Sequence, residues 1–277
     1  MSKPSQDASP RLRIGAVNYL NTKPLVHGLA ELLPSARLIF DLPSRLSDAL
    51  AAGELDVALA PSIELADHPE WTILSNACIG CLGPVLSVKL MFRKPPAEVR
   101  TLALDEGSRT SAVLAQILLH EVCQTPPRLS TLPLGCGPEQ SEADAVLVIG
   151  DRAIRSEQGA FTEIWDLGDR WRRQTNRPFV FAMWVARPGI ATDEAARALE
   201  AARDRGCRAL TQIARQQAEA MQLPFELVRE YLCQNLHFHL GAEQLHGLKL
   251  FYQRAAELGL IQVPPQVVLH DCSIEHC

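Results

Sequence analysis

The sequence is poor in aromatic residues, at 5%, and has no excess of positive charge, since its net charge is −5. A negative chain is a poor general binder of nucleic acid. It also lacks the roughly 18 consecutive apolar residues of a membrane-spanning helix. Its start, "MSKPSQDASPRLR", lacks the apolar segment of a secretory signal peptide. We therefore expect a cytoplasmic protein that binds neither membrane nor nucleic acid, with residues 1–10 as a loose tail.

Several motifs that define common enzyme classes are absent. The chain contains no G-x-x-x-x-G-K-[ST], no G-x-G-x-x-G, no G-x-S-x-G and no H-E-x-x-H. Nucleotide hydrolysis, nicotinamide-dependent oxidation and α/β-hydrolase chemistry thus have no motif support. His237 and His239 lie two apart near the end of a predicted helix, where a capping or surface role is the simpler interpretation.

The eight cysteines show no clear zinc or disulfide pattern. Cys78 and Cys81 have C-x-x-C spacing, but a structural zinc site needs a second pair. Gly83 and Pro84 predict a loop there, whereas a redox pair would open a helix. Free structural thiols are therefore the favoured interpretation for a cytosolic chain. The "HDCSIEHC" tail, 270–277, has metal-binding residue types, but its position at the terminus makes it a weak candidate.

Strand-like and helix-like segments alternate along the first two thirds of the chain, and helices follow. Strands are predicted at 12–18, 37–42, 55–61, 83–95, 99–105, 143–151 and 179–187. Helices are predicted at 24–33, 44–53, 108–123, 192–221, 224–236 and 242–260. This alternation predicts an α/β fold with crossover connections and mainly parallel sheets.

Two apolar strands bracket the middle of the chain and divide it into two expected lobes. The strands at 83–95 and 179–187 are interpreted as crossovers. One lobe is then discontinuous, with residues 11–94 plus 188–277, and the other is an inserted α/β lobe, 95–187. A cleft between two lobes is a favoured place for a ligand.

The strongest local signal is "LDEGSRTS", 104–111, where a strand ends in a glycine turn before a helix. Helix amino termini present unpaired N–H groups that bind anions, and hydroxyl and guanidinium groups add donors. The four donor residues are Ser108, Arg109, Thr110 and Ser111. A helix cap would explain one of them, whereas four in a row also fit an anion site.

Other polar residues follow predicted strands or interrupt them. Asn18 and Asn21 follow the first strand, as turn residues or as hydrogen-bonding groups at a cleft. Ser62 and Asp151 end two further strands, where a helix cap and a ligand contact are both open. Ser87 lies in an apolar strand, as a small core residue or as a group lining the cleft.

Six sequence blocks together resemble the chorismate dehydratases of the futalosine route to menaquinone. They are "RIGAVNYLNTKPLVHGL", "GELDVALAPSIEL", "ALDEGSRTSAVLAQILL", "VIGDRAI", "DLGDRWRRQTNRPFVFAMWVAR" and "GLKLFYQRAAELGL". Their order covers about residues 12–262. The resemblance implies a two-lobed, periplasmic-binding-protein-like fold of type II with a central ligand cleft.

The resemblance also implies a hydro-lyase reaction. Chorismate would lose water to give 3-[(1-carboxyvinyl)oxy]benzoate, with no metal or organic cofactor. Asn21, in "LNTKPL", matches the family's catalytic amide, and Ser87 its serine beside the substrate. The expected substrate-binding residues are Asn18, Ser62, Ser108, Arg109, Thr110, Ser111 and Asp151, with Arg109 gripping a carboxylate. No motif marks a histidine or carboxylate base, so the substrate's own enolpyruvyl carboxylate is our hypothesis for the proton acceptor.

Two alternatives remain open at this stage. The sibling enzyme of the same route makes 1,4-dihydroxy-6-naphthoate, but its family opens with Ser-Pro-Cys-Pro-Asn-Asp where this chain has "VNYLNTKPL". A non-catalytic binder of small carboxylates is the second alternative, although exported binding proteins carry a signal peptide. A homodimer is also left open by the sequence.

Overall fold

The computed structural model describes residues 12–123, 125–156, 159–190, 192–267 and 269. The predicted tail at 1–10 and the Cys/His segment at 270–277 lie outside these residues. None of the helices in the described ranges combines the length and apolar character needed to cross a bilayer.

The described residues form two β-sheets with helices packed against them. The strands are β1 (Arg13–Val17), β2 (Arg37–Asp41), β3 (Val57–Pro61), β4 (Thr72–Cys81), β5 (Val88–Phe92), β6 (Thr101–Asp105), β7 (Arg128–Leu132), β8 (Ala145–Ile149), β9 (Glu163–Asp166), β10 (Phe179–Ala186) and β11 (Leu236–His239). The helices are α1 (Leu29–Leu32), α2 (Pro43–Ala51), α3 (Thr110–His120), α4 (Asp151–Arg155), α5 (Leu167–Thr175), α6 (Asp193–Arg208), α7 (Leu210–Met221), α8 (Phe225–Glu230) and α9 (Ala242–Glu257).

Each sheet is built around three parallel strands. The first sheet has the order β11-β4-β10-β3-β1-β2, and the second has β7-β6-β8-β5-β9. Within them, β1 lies parallel to β2 and β3, and β6 lies parallel to β7 and β8. β10 runs antiparallel to β3, and β5 runs antiparallel to β8. The sheets are therefore mixed rather than mainly parallel, because the chain runs back along each parallel group when it changes sheet.

The apolar strands at the centre of each sheet are buried. Every residue of β3, β8 and β10 is buried, a large apolar cluster contains side chains from both sheets, and a smaller one contains side chains of the second sheet. Continuous apolar runs of this kind are typical of strands covered on both faces. These strands hold the residues at their carboxyl ends in fixed positions.

The chain changes sheet one strand earlier than the lobe boundaries at 94/95 and 187/188 predict. β5, expected in the first lobe, pairs along its length with β8 of the second sheet. β10, expected in the second lobe, pairs with β3 and β4 of the first. Backbone pairing commits each strand to one sheet, so the first crossing is 82–87 and the second precedes Phe179. The division into two lobes itself stays a prediction.

Three predicted helices are shorter or broken. In 24–33 only α1 is helical, because Gly28 has a left-handed φ of +72° and a short 3-10 helix at Leu20–Thr22 precedes it. Segment 192–221 breaks at Ala209 into α6 and α7. Segment 224–236 is α8, then a π-helical turn at Tyr231–Asn235 that leads into β11.

The C-x-x-C pair and the two spaced histidines lie in strands that the sequence did not predict. Cys78 and Cys81 belong to β4 rather than a loop, and both are buried free thiols whose pKa is raised by burial. This supports the prediction of structural thiols. His237 and His239 lie in β11, paired with β4, rather than at a helix end.

Candidate active site

A cavity lies where the carboxyl ends of the parallel strands of both sheets meet. Open α/β sheets commonly bind ligands at this end of their strands. The lining residues are Val17, Tyr19, Asn21, Pro43, Pro61, Ile79, Val85, Ser87, Val88, Gly107, Ser108, Arg109, Thr110, Ser111, Ile149, Gly150, Phe181 and Ala182. The structure thus brings together six of the nine residues singled out from the sequence.

The two asparagines after β1 have different surroundings. Asn21 lines the cavity from the 3-10 helix that follows β1. Its Oδ1 accepts a hydrogen bond from Thr22 Oγ1 at 3.3 Å, so the amide nitrogen, which carries two N–H groups, can donate to a ligand. Asn18 is exposed and accepts from Lys23 Nζ at 2.9 Å. Asn18 does not line the cavity, so the geometry favours its interpretation as a turn residue.

Ser87 lines the cavity from a strained turn just before β5 rather than from the strand itself. Its N–H donates to Val85 O at 2.7 Å around Leu86, which has φ +60°. A positive φ is costly for leucine and is maintained only where neighbours enforce it. Asp166 does so here, because its carboxylate accepts from the N–H groups of Val85 and Leu86 at 2.7–2.9 Å.

The start of α3 supplies the other polar wall. Ser108, Arg109, Thr110 and Ser111 all line the cavity. The first N–H groups of an α-helix have no partner within the helix and carry partial positive charge. Thr110 Oγ1 accepts from Ile63 N at 3.2 Å, so this residue also joins the two sheets. The predicted anion site therefore has its donors in place beside the cavity.

The Arg109 guanidinium is already bonded to two carboxylates of the chain. Its Nη1 lies 3.0 Å from both carboxyl oxygens of Glu64, and its Nη2 lies 2.6 Å from Asp48 Oδ1. Glu64 is 2% exposed, and burial raises its pKa against the attraction of Arg109. The predicted grip of Arg109 on a substrate carboxylate stays a prediction, because in this structure its charge is compensated.

Ser62 and Asp151 lie behind the lining rather than in it. Ser62 is completely buried, and its Oγ donates to Val180 O at 2.7 Å. Asp151 is the first residue of α4, and its Oδ1 accepts from Leu20 N at 3.0 Å while burial raises its pKa. Both were predicted to bind substrate directly. Their contacts instead favour a supporting role at the junction of the two sheets.

Two tyrosines belong to the site and were missed. Tyr19 lines the cavity and lies against Gly150, where an added Cβ would approach its ring to 2.9 Å. Burial raises the pKa of Tyr19 to about 12, so its hydroxyl stays protonated and can donate. Tyr231 is completely buried, with its hydroxyl beside Ser87 and Asn21. The position of Tyr19 between two asparagines was a usable signal, whereas nothing in the sequence marks Tyr231.

No carboxylate or imidazole is found among the residues that line the cavity. The nearby Asp105 carboxyl is inaccessible, receiving Arg152 Nη2 at 2.6 Å and Ile149 N at 3.0 Å. In the part of the chain that the structure describes, no three His, Cys, Asp or Glu side chains come together as metal ligands. The site can therefore hydrogen-bond, polarise and orient a ligand, but it offers no side chain suited to be a general base.

The family model for menaquinone biosynthesis matches residues 12–257 of the chain. The chain belongs to this family. Chorismate dehydratase from Thermus thermophilus is 29% identical in an alignment covering 91% of this chain and 96% of that protein. The sequence resemblance to that family is thereby confirmed.

Solved structures show the fold. A protein from Archaeoglobus fulgidus superimposes with a TM-score of 0.74 at 14% identity, covering 91% of this chain and 99% of that one. The periplasmic aliphatic sulphonate binding protein SsuA from Escherichia coli has a TM-score of 0.61 at 17% identity, with 93% and 96% covered. A Candida albicans gene product with the generic periplasmic binding protein fold has a TM-score of 0.53 at 11% identity, with 96% and 100% covered. The predicted periplasmic-binding-protein-like fold is confirmed.

Proposed function

We propose that this protein is a lyase that removes water from chorismate to give 3-[(1-carboxyvinyl)oxy]benzoate. The observation that carries the proposal is the convergence on one cavity of an amide, Asn21, a serine, Ser87, and the start of α3. The Thermus thermophilus relative named chorismate dehydratase, aligned over nearly its full length, supports the same assignment. Chorismate is a dicarboxylate with one ring hydroxyl, so it needs anion-binding donors and a group that contacts the leaving hydroxyl.

The start of α3 is the proposed site for one substrate carboxylate. The hydroxyls of Ser108 and Ser111 line the cavity and make no hydrogen bond to another atom of the described ranges. With the N–H groups of the first helical turn, they form a set of neutral donors for an anion. Arg109 adds positive charge beside this set, shared with Glu64 and Asp48.

Asn21 and Ser87 are the proposed groups at the reacting end of the substrate. The elimination breaks a ring C–H bond and the C–O bond of the hydroxyl, and the ring becomes aromatic, so much of the driving force lies in the substrate. The Asn21 amide can donate to the departing oxygen, and so can the Ser87 hydroxyl. A single preorganised donor of this kind typically contributes roughly 10²–10³ in rate.

The substrate's own enolpyruvyl carboxylate is the proposed proton acceptor. The cavity lining supplies no histidine, aspartate or glutamate for this step, and Tyr19 keeps its proton because burial raises its pKa to about 12. The ring proton would pass to the enolpyruvyl carboxylate while the ring hydroxyl departs, and the two leave as water. The enzyme then contributes orientation and hydrogen bonds rather than a base.

The proposal is tested by incubating the purified chain with chorismate and following the loss of one water by ultraviolet absorbance and mass spectrometry. We expect conversion by the wild type and a kcat lower by roughly 10²–10³ for Asn21→Ala. A parallel reaction uses an analogue in which the enolpyruvyl carboxylate is replaced by a neutral amide. It should bind and barely react, and normal turnover of it would exclude the substrate carboxylate as base.

Binding without conversion would point to one of the two alternatives. If chorismate raises the melting temperature but remains unchanged, the protein is a small-carboxylate binder or acts on a different acid. Incubation with the precursor of 1,4-dihydroxy-6-naphthoate would then separate a binder from the sibling enzyme. If the protein neither binds nor converts chorismate, the proposal is overturned.

A further inference from the structure

The Tyr231 hydroxyl is an unexplained polar group at the centre of the molecule. Tyr231 is 0% exposed, and its hydroxyl has no hydrogen-bond partner at suitable distance and angle among the other described atoms. A buried hydroxyl without a partner is costly, so one in a well-packed core needs an explanation. Its polar neighbours are the side chains of Ser87 and Asn21, the two residues assigned above to the reaction.

A π-helical turn fixes where this hydroxyl points. Tyr231–Asn235 has π-helical hydrogen bonding between α8 and β11, and such turns are rare and frequent at functional sites. Asn235, at the other end of the turn, donates from Nδ2 to Pro84 O at 2.9 Å. Leu236, the next residue, pairs with Cys81 at the end of β4. The turn is thus attached to the crossing segment 82–87 that carries Ser87.

The same crossing is also held by Asp166, whose carboxylate accepts from the N–H groups of Val85 and Leu86. The strained turn at Leu86 is therefore held by the Asp166 carboxylate and, through Pro84, by the π-helical turn. These backbone contacts fix the main chain at Ser87 but not the direction of its hydroxyl. The Tyr231 hydroxyl lies beside both that hydroxyl and the Asn21 side chain.

We propose that Tyr231 is a positioning residue. It orients the Asn21 amide and the Ser87 hydroxyl so that both can donate to the leaving hydroxyl of the substrate. The phenol oxygen accepts from the Asn21 amide, and its O–H donates to Ser87 Oγ, so that the Ser87 proton is turned into the cavity. Hydrogen bonds at such sites are often incomplete without substrate and tighten when it binds. The inference rests on the proposed function, because the geometry it explains is that of the dehydration.

The test is Tyr231→Phe, which removes the oxygen and keeps the packed ring. We expect kcat for chorismate to fall roughly 10- to 100-fold, with KM changed less than about threefold, since misplaced reacting groups slow the chemical step more than binding. The melting temperature should stay the same or rise, because the lost hydroxyl had no complete hydrogen bond. A lower melting temperature with unchanged kcat would assign Tyr231 a purely structural role and overturn the inference.

Tyr252→Phe is the matched control. Tyr252 is equally buried, but its hydroxyl donates to Ser62 O at 2.5 Å. Removing it orphans a buried carbonyl, so this variant should lose stability and change kcat less than Tyr231→Phe does. If Tyr231→Phe and Tyr252→Phe lose stability and kcat in the same proportion, the loss of any buried tyrosine hydroxyl has the same effect on activity. That result overturns the inference.

A double-variant cycle identifies the route of the effect. If Tyr231 acts through Ser87, adding Tyr231→Phe to a Ser87→Ala protein should lower kcat much less than it does in the wild type. Equal losses in both backgrounds would overturn the positioning role. A wild type that leaves chorismate unchanged overturns the proposed function and this inference with it, whereas an active wild type with an equally active Tyr231→Phe overturns this inference alone.

Discussion

The two sheets repeat one arrangement and differ at the place where the substrate would bind. In each, three parallel strands lie in the order second, first, third along the chain, as β2-β1-β3 and β7-β6-β8. In each, a strand arriving from the other sheet then pairs antiparallel to the third, β10 in one and β5 in the other. The chain has thus used the same local topology twice.

The amino ends of the two parallel groups are alike. Asp56, just before β3, accepts from the N–H of Arg13 at the start of β1. Asp144, just before β8, accepts from the N–H of Thr101 at the start of β6. Although burial alone would raise the pKa of the Asp144 carboxyl, hydrogen bonds from Lys94 and the backbone lower it overall. A buried carboxylate that ties two strand starts together is therefore a feature of the scaffold.

The carboxyl ends of the first strands are unlike. After β6 comes a regular helix, α3, whose free N–H groups suit an anion. After β1 comes a short 3-10 helix at Leu20–Thr22, too irregular for such a site, which presents Asn21 instead. We infer that the start of α3, after β6, binds the substrate's charge and that Asn21, after β1, contacts its reacting bonds. This division of roles predicts that variants of the segment after β1, such as those at Asn21, change kcat. Variants at the start of α3 should change KM instead.

The contact between Tyr19, which follows β1, and Gly150, which follows β8, gives the largest expected effect after Asn21→Ala. Gly150 has φ +67°, and a Cβ there would lie 2.9–3.1 Å from the Tyr19 ring. We expect Gly150→Ala to lower the free energy of unfolding by about 2–4 kcal/mol, because φ +67° with ψ −151° is accessible essentially to glycine alone and because the added methyl group overpacks the Tyr19 ring. We also expect at least a tenfold loss in kcat/KM, because Tyr19 must move out of the cavity wall. Urea denaturation and steady-state kinetics measure the two effects.

Gly53→Ala is the control for an added methyl group at a positive φ with open space around it. Gly53 has a similar φ of +72°, and an added Cβ meets nothing within 4 Å. It should lose only the backbone contribution, roughly 1–2 kcal/mol, and keep its kinetics. If both variants lower the free energy of unfolding by the same amount, Tyr19 moves aside at no cost. The contact between Tyr19 and Gly150 would then not be tightly packed.

Arg109→Ala gives the next largest effect and tests whether the start of α3 binds a negatively charged group of the substrate. We expect KM to rise roughly tenfold or more, because a charge-assisted hydrogen bond contributes about 1.5–3 kcal/mol, while kcat changes little. The variant also leaves the buried Glu64 without its partner, so KM is measured again in Arg109→Ala combined with Glu64→Gln. The exposed Arg45, paired with Asp41 at 3.7 Å, provides the control Arg45→Ala, which should be near neutral. An unchanged KM for both Arg109 variants would remove this residue from substrate binding.

The sequence was informative where chemistry is encoded locally and silent where it depends on chain crossings. "LDEGSRTS" predicted the start of α3 because a glycine turn and helix-capping residue types are adjacent in the chain. Asn21 and Ser87 were candidates because of their places at and within predicted strands, but the local pattern left their roles open, and the expected catalytic roles came from the family resemblance. The strained turn at Leu86 was not predictable, since the Asp166 carboxylate that maintains it is 80 residues away. Tyr231 was missed for the same reason, because its significance lies in neighbours from two other segments.

The smallest expected effect on activity comes from the amino end of the first sheet, which we regard as scaffold only. The Asp56 carboxylate receives Arg13 Nη2 at 2.8 Å and Arg187 Nη2 at 2.7 Å, and these contacts hold its pKa far below the ordinary 3.8. A carboxyl with a lowered folded-state pKa stabilises the fold above its unfolded pKa and loses that contribution as the pH falls. Asp56→Asn should therefore lower the free energy of unfolding by about 2–3 kcal/mol at pH 7 and leave kcat/KM unchanged.

The pH dependence of this difference decides whether the lost charge is the cause. As the pH falls from about 5 toward 2, the Asp56 carboxyl is protonated in the unfolded state while it stays ionised in the fold, so the wild type loses this contribution and its stability should approach that of Asp56→Asn, as denaturant titrations at several pH values would show. A constant difference at every pH would mean that the variant disturbs packing rather than the ion pairs. A loss of kcat/KM at pH 7 without a change in stability would contradict the division drawn here between the two ends of the first sheet. The amino end, where Asp56 lies, would then contribute to activity and not only to the stability of the fold.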